Sequence, residues 1–194
     1  MNSHIRLALL GALLLMIGVG ARAIEEPAYT VVNQWQDSDI EIRAYEPRVW
    51  AVTTMDKSQN QGFRVLASYI FGGNKQGEEI AMTAPVKSSM SGAAVGEMAF
   101  MMPAAYGMAD LPDPLDDRVA FRQADSYLAA VIQFSGWATN SKSERKWRDL
   151  SEFIAGTDYV ITGEPTINQY NPPWTPPFMR RNEIIVEVAE KDGF

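Results

Sequence analysis

Asp39 to Tyr45 reads DIEIRAY, apolar and polar residues in turn, and this period of two predicts a strand. The β-rich run Arg48 to Met55 predicts a second strand after the turn signal Tyr45-Glu46-Pro47. Further strands are expected at Ile80–Thr83, Met98–Met102, Val119–Gln123, Leu128–Phe134, Thr166–Tyr170 and Glu183–Val188, with Leu111-Pro112-Asp113-Pro114 as another punctuator. Ser88 to Gly96 is small and Gly-rich, and reads as a loop.

Two stretches carry a helical period instead. In NQGFRVLASYIFGGN, Phe63, Leu66, Ala67 and Ile70 fall at i, i+3, i+4 and i+7, and Gly72-Gly73-Asn74 supplies a stop. In SKSERKWRDLSEFIAG, Ser141 and Glu144 have capping-box spacing, Trp147, Leu150 and Ile154 form the stripe, and Gly156 occupies the C′ position. Strand, helix, strand from Val49 to Val86 is echoed from Leu128 to Tyr170. The order predicts an α+β domain of two similar halves, with two helices against a curved, barrel-like sheet.

The first 23 residues stand apart from this pattern. His4 and Arg6 precede an apolar run, Leu7 to Val19, and Ala21-Arg22-Ala23 has the small-x-small ending of a cleavage site. This predicts a cleavable signal peptide over 1–23 and one domain over 24–194, exported to the periplasm or secreted. The run is short for a ~30 Å hydrocarbon core, so no stable membrane insertion is expected after cleavage. From Ile24 onward, 15 basic residues face 24 acidic ones, a balance that argues against nucleic acid as a partner.

Removing the leader also removes the chemistry of histidine. His4 is the one histidine of the chain, and there is no cysteine. No Cys–His or Ser–His pair and no zinc site of the usual N/S kind can be built from what remains, so an enzyme is not expected. The neighbouring carboxylates Glu78-Glu79 and Asp116-Asp117 sit beside turn signals and read as solvated loop charge. What is in surplus is soft and aromatic: eight methionines and five tryptophans from Ile24 on, Met98, Met101, Met102 and Met108 among them.

The first helix has a second, semi-apolar edge of Gln61, Val65, Ser68 and Tyr69, with Arg64 alongside. A flat apolar ligand with acidic edges suits it, arginine pairing its carboxylates; a helix edge covered by a neighbouring loop has the same pattern. Near the C-terminus, YNPPWTPPFMRRNEI contains a P-x-x-P spacing and reads either as a ligand for an SH3-like domain or as a stiff wall.

EIRAYEPRVWAVT (41–53), GGNKQGEEIAMTAPV (72–86), FMMP (100–103) and YNPPWTPPFMRRNEI (170–184) together resemble the recurrent blocks of the SOUL haem-binding protein family, in the family's order. The resemblance spans the chain from Ile24 and implies a barrel-like sheet of two halves that binds haem or another tetrapyrrole, not catalytically, in a groove beside the first helix. It implies ligand contacts at Gln61, Arg64, Ser68 and Tyr69, with the loop before RRNE overhanging the site. The cofactor-binding set expected is therefore Gln61, Arg64, Val65, Ser68, Tyr69, Trp174, Phe178 and Arg180, and no metal-ligating residue is assigned. A branch of the family carries a histidine in EIRHY; Ala44 stands there in this chain, so the site is expected to work by apolar contact. The alternative reading is a sensor or interaction module that holds another amphipathic ligand in the same groove.

Overall fold

The computed structural model describes residues 24–36, 38–55, 59–90, 92–93 and 96–191; the expected signal peptide, 1–23, lies outside them. In chain order the elements are β1 (Tyr29–Gln34), β2 (Ile40–Tyr45), β3 (Arg48–Thr54), α1 (Gln59–Ile70), β4 (Val86–Ser89), β5 (Glu97–Met101), β6 (Ala120–Ala124), β7 (Tyr127–Phe134), α2 (Asn140–Ala155), β8 (Tyr159–Ile161), β9 (Thr166–Gln169) and β10 (Asn182–Glu190). A 3₁₀ turn, Pro177–Met179, precedes β10.

The ten strands form one antiparallel sheet curled into a half-barrel, in the order β1-β2-β7-β10-β9-β4-β5-β3-β6, with β8 added to β10. The expected two halves are visible in that order. The run β3, α1, β4, β5 is matched by β7, α2, β9, β10, and the halves meet where β4 pairs with β9. Each half also lends the other a strand: β2 leads into β3 but pairs with β7, and β6 leads into β7 but pairs with β3. Neither half can close its sheet alone.

Both helices lie on one face. Under α1, Val49, Ala51, Met98, Phe100 and Met102 pack against Val65, Leu66, Tyr69 and Ile70. Under α2, Ile42, Ala130, Ile132, Ile184 and Val186 pack against Leu150 and Ile154. The α2 N-cap is Thr139, whose hydroxyl accepts from Lys142 N, so the expected Ser141–Glu144 box is not what caps this helix. Gly156 closes it with φ −87°, an ordinary conformation, and not as a left-handed glycine.

Three strands escaped the hydrophobic pattern and one expected strand is absent. β1 is exposed along almost its whole length, β4 is Val-Lys-Ser-Ser, and β8 has three residues. Ile80–Thr83 is not a strand: Ile80 alone is buried, and isolated bridges at Glu79 and Thr83 flank it.

The other face of the sheet, inside the curl, is covered as well, by charged and aromatic side chains. Arg43 Nη1 donates to Glu183 (3.1 Å) and to the Tyr45 hydroxyl (3.2 Å), and its Nε donates to Glu41 (2.7 Å). The Tyr170 hydroxyl gives Glu183 a further bond of 2.6 Å. Arg48 lies over the Tyr45 ring, which stacks on Tyr127. Burial opposes the Arg43 charge, yet Glu183 and Tyr45 outweigh it and hold the guanidinium pKa above its ordinary value. Burial, then the Glu183 carboxylate, holds the Tyr170 phenol above its own.

Candidate functional site

The buried face of α1 is one broad stripe: Gly62, Val65, Leu66, Tyr69 and Ile70, at i, i+3, i+4, i+7 and i+8. The two edges seen in the sequence are halves of that stripe plus its shoulders. Gly62 hides the pattern because it has no side chain to count. A Cβ there would lie 3.1 Å from Met55 Cγ, so the helix seats close to the sheet at this point.

The consequence for the expected site residues is a division. Val65 and Tyr69 are core, at 5% and 1% exposure. Gln61, Arg64 and Ser68 are exposed along one shoulder, Arg64 and Ser68 one turn apart. On the opposite shoulder Phe63 was expected in the core; it is 39% exposed and meets Phe100 edge-on.

The end of α1 is built to hold a loop. Gly72 takes φ +92°, and Gly73 N bonds back to Ser68 O (2.8 Å), the expected glycine stop. Asn74, buried, donates to the carbonyls of Tyr69 (3.3 Å) and Glu78 (2.7 Å) and accepts from Glu78 N (2.9 Å). Segment 111–118 is tied to this turn through Lys75 N to Asp113 O (2.8 Å) and Leu115 N to Gly73 O (3.1 Å), and the Tyr69 hydroxyl donates to Pro112 O (3.0 Å).

Between the helix end and that segment opens a cleft of about 530 Å³, lined by Ser68, Tyr69, Gly73, Leu115, Asp116 and Asp117. Leu115 is 68% exposed at its rim, and neighbouring Phe71 is 62% exposed. Burial pushes the Tyr69 phenol up to about 12, so it is a neutral hydrogen-bond donor at neutral pH. Arg118, through two side-chain bonds and its own N–H, holds the Asp116 carboxyl below the usual carboxylate range. Leu115, Asp116 and Asp117 were missed as lining residues. The one signal for them is an apolar Leu set among prolines and aspartates in PDPLDD, where solvated charge is the plainer reading.

Trp174, Phe178 and Arg180 are carried by a different support. Pro177 O accepts from Gly136 N (2.8 Å), which fastens the proline-rich loop to the corner between β7 and α2. Arg180 is the clasp of this loop. Its guanidinium bonds the carbonyls of Thr175 and Pro173 and lies 3.8 Å over the Trp137 ring. Arg181, the second arginine, faces Glu26 and stacks on Tyr170 at 3.6 Å. Trp174, Phe178 and Met179 are left 82%, 78% and 62% exposed.

Strand register relates the two supports. Val86 pairs with both Phe100 and Gln169, and Asn182 pairs with both Gln169 and Phe134. The proline-rich loop and the N-terminus of α2 are therefore at the end of the sheet where α1 finishes. Among the described residues no group of three His, Cys, Asp or Glu gathers to hold a metal ion.

Comparison with known proteins gives this geometry a family. The chain is 26% identical over 147 residues to Heme-binding protein 2 of Homo sapiens, a match covering 69% of this chain and 71% of that protein. Among solved structures, the EcmrR C-terminal domain superposes with TM-score 0.58 at 10% identity, over 78% of this chain and 97% of that one. A protein from Listeria innocua described as a hydrolase does so with TM-score 0.57 at 10% identity, over 78% and 92%. At these identities the two structures speak for the fold alone. The family model described as "SOUL heme-binding protein" matches residues 24–187, from before β1 to within β10, and by that match the chain belongs to the SOUL heme-binding protein family.

Proposed function

We propose that this chain binds haem or a related tetrapyrrole reversibly beside α1, as a carrier or buffer and without performing chemistry on it. The observation that carries the reading is the open cleft of about 530 Å³ on the exposed edge of α1, in a chain of a heme-binding family. Its size is that of ordinary small-molecule sites, roughly 300–1,000 Å³.

The lining gives a planar, two-carboxylate ligand an orientation. Leu115 and Phe71 offer apolar contact, and Gln61 and Ser68 offer polar atoms at the rim. Arg64, one turn before Ser68, attracts a propionate; Asp117 repels it, Asp116 being matched by Arg118, so the propionates point along α1 toward Arg64. Val65 sits beneath as packing, and Tyr69 supplies the cleft floor. Trp174 and Phe178, held out by the Arg180 clasp at the same end of the sheet, lie outside the cleft lining and would meet only a ligand that reaches across the end of α1. Tyr69 stays neutral and tied to Pro112, which leaves apolar contact as the main source of affinity. The leader at 1–23 directs the protein out of the cytoplasm, to the periplasm or beyond.

Isotope-labelled chain 24–194 titrated with the diamagnetic gallium protoporphyrin tests the placement by NMR. Amide shifts gathered at Arg64, Ser68 and 115–117 support it. Shifts centred on the inner face of the sheet, or no saturable shifts, overturn it.

A further inference from the structure

The inner face of the sheet holds an amine whose one close partner among the described residues is an aromatic ring. Lys87, on β4, projects into the curl, where its Nζ lies 5.2 Å from the centre of the Trp50 ring. Among the described residues, no hydrogen bond or ion pair holds this ammonium. A pocket of about 100 Å³ opens beside it, with Trp50, Val52 and Ala99 as its apolar wall.

The charges around that pocket are already matched. Arg122 grips Glu97 through two bonds, 2.8 and 2.7 Å, and so cancels it. Among the lining residues that leaves Lys87 and the exposed Glu187, one of each sign, with Tyr127 on β7; Arg48 on β3, outside the lining, is a further cation that bears on Lys87. The lining thus offers an anion no net charge of its own, whereas a small uncharged molecule with an apolar body gains the wall of Trp50, Val52 and Ala99. Desolvation lowers the Lys87 pKa; Glu187 and Glu97 raise it less. An amine in that condition has more of its nucleophilic neutral form at a given pH than an exposed lysine.

We propose that Lys87 is a reactive amine and that its pocket takes a small, uncharged carbonyl compound, captured as an imine. The pocket has room for roughly three waters at about 30 Å³ each, which is enough for an aldehyde of a few heavy atoms. The neutral Nζ adds to the carbonyl carbon, and the π pair moves to oxygen. Glu187 takes a proton from the nitrogen and returns it to that oxygen. Loss of the oxygen as water, with both hydrogens of the amine, leaves the C=N bond; no oxidant or reductant enters. This site is on the face of the sheet away from α1, so it stands or falls separately from tetrapyrrole binding.

The test uses the chain 24–194 and propionaldehyde as the probe, with cyanoborohydride to fix any imine and peptide mass mapping to locate it. At pH 7.5, Lys87 is expected to be alkylated several-fold faster than the exposed Lys75, and its lead shrinks as pH rises toward 10. Alkylation of Lys87 no faster than that of Lys75 across this range overturns the proposal. So does a lead that stays constant with pH, because the lowered pKa is then not its source.

Discussion

Replacing Arg43 by Met removes the centre of the buried ionic cluster inside the sheet. The side chains of Arg43 and Glu183 are 5% and 2% exposed. In the variant, Glu183 keeps the Tyr170 hydroxyl but loses its one ion-pair partner among the described residues, and an orphaned buried charge costs about 3–5 kcal/mol. Glu41, 20% exposed, can turn to water and adds little. Loss of the guanidinium from the Tyr29 ring, 4.3 Å away, adds roughly 0.5 kcal/mol at that exposed site. The apolar stem of Met recovers part of the packing, so about 3 kcal/mol is expected, or a Tm lower by roughly 6–12 °C for a domain of this size. The double variant Arg43→Met with Glu183→Leu has no orphaned charge, only a Tyr170 hydroxyl that has lost its acceptor, and should melt no lower than Arg43→Met alone. Urea and thermal melts of the two single variants and the double complete the cycle. A loss under about 1 kcal/mol in Arg43→Met, or single losses that simply add in the double, would refute the reasoning.

Three further outcomes follow from the same geometry. The Tyr45, Tyr69, Tyr127 and Tyr170 phenols all have raised folded-state pKa values, chiefly through burial, so the stability they contribute is present below about pH 10 and is lost above it. Unfolding free energy measured from pH 8 to 11 should fall from about 10 upward; a flat profile contradicts this. Gly73→Ala would put a Cβ 2.5 Å from the Ser68 carbonyl oxygen, and the backbone must move; a cost of about 1–3 kcal/mol is expected, and a neutral variant would show that this helix stop is loose. Thr139→Ala should cost about 0.5–1 kcal/mol and Ser141→Ala almost nothing, in chemical melts; the reverse order would restore Ser141 as the cap.

The sequence was most legible where one face of an element is covered and the other wet. α2 is such a case, with Leu150 and Ile154 buried and most of its charges outside. It was least legible where both faces are covered. Period two in DIEIRAY correctly separates Ile40 and Ile42 from Arg43 and Tyr45, but nothing in the alternation says that the curl closes over the second set too. Nothing in the sequence therefore marks Arg43 and Glu183 as buried. α1 shows the same limit on a helix, where Gly62 interrupts the apolar count and a single stripe passes for two. That reading put Val65 and Tyr69 on a surface edge, although Arg64 and Ser68 beside them do line one. The proline-rich stretch is clasped to the rest of the fold in a way that could not be foreseen: Arg180 over Trp137 joins residues 43 positions apart through the turn after β7. Leu115 and its aspartates were hidden for a similar reason, since only the folded turn at Gly72–Lys75 brings them to α1.

A paired Soret titration of the chain 24–194 with hemin and with iron-free protoporphyrin tests the central claim most directly. No histidine follows His4, and Tyr69 is neutral and bonded to Pro112, so apolar contact and Arg64 must supply the affinity. Both tetrapyrroles are predicted to saturate at one equivalent, with affinities within roughly threefold of each other, under about 0.7 kcal/mol. Arg64→Glu should weaken both. The absence of a saturable spectral change with either compound contradicts tetrapyrrole binding, and saturation by hemin alone contradicts a site that works without iron ligation.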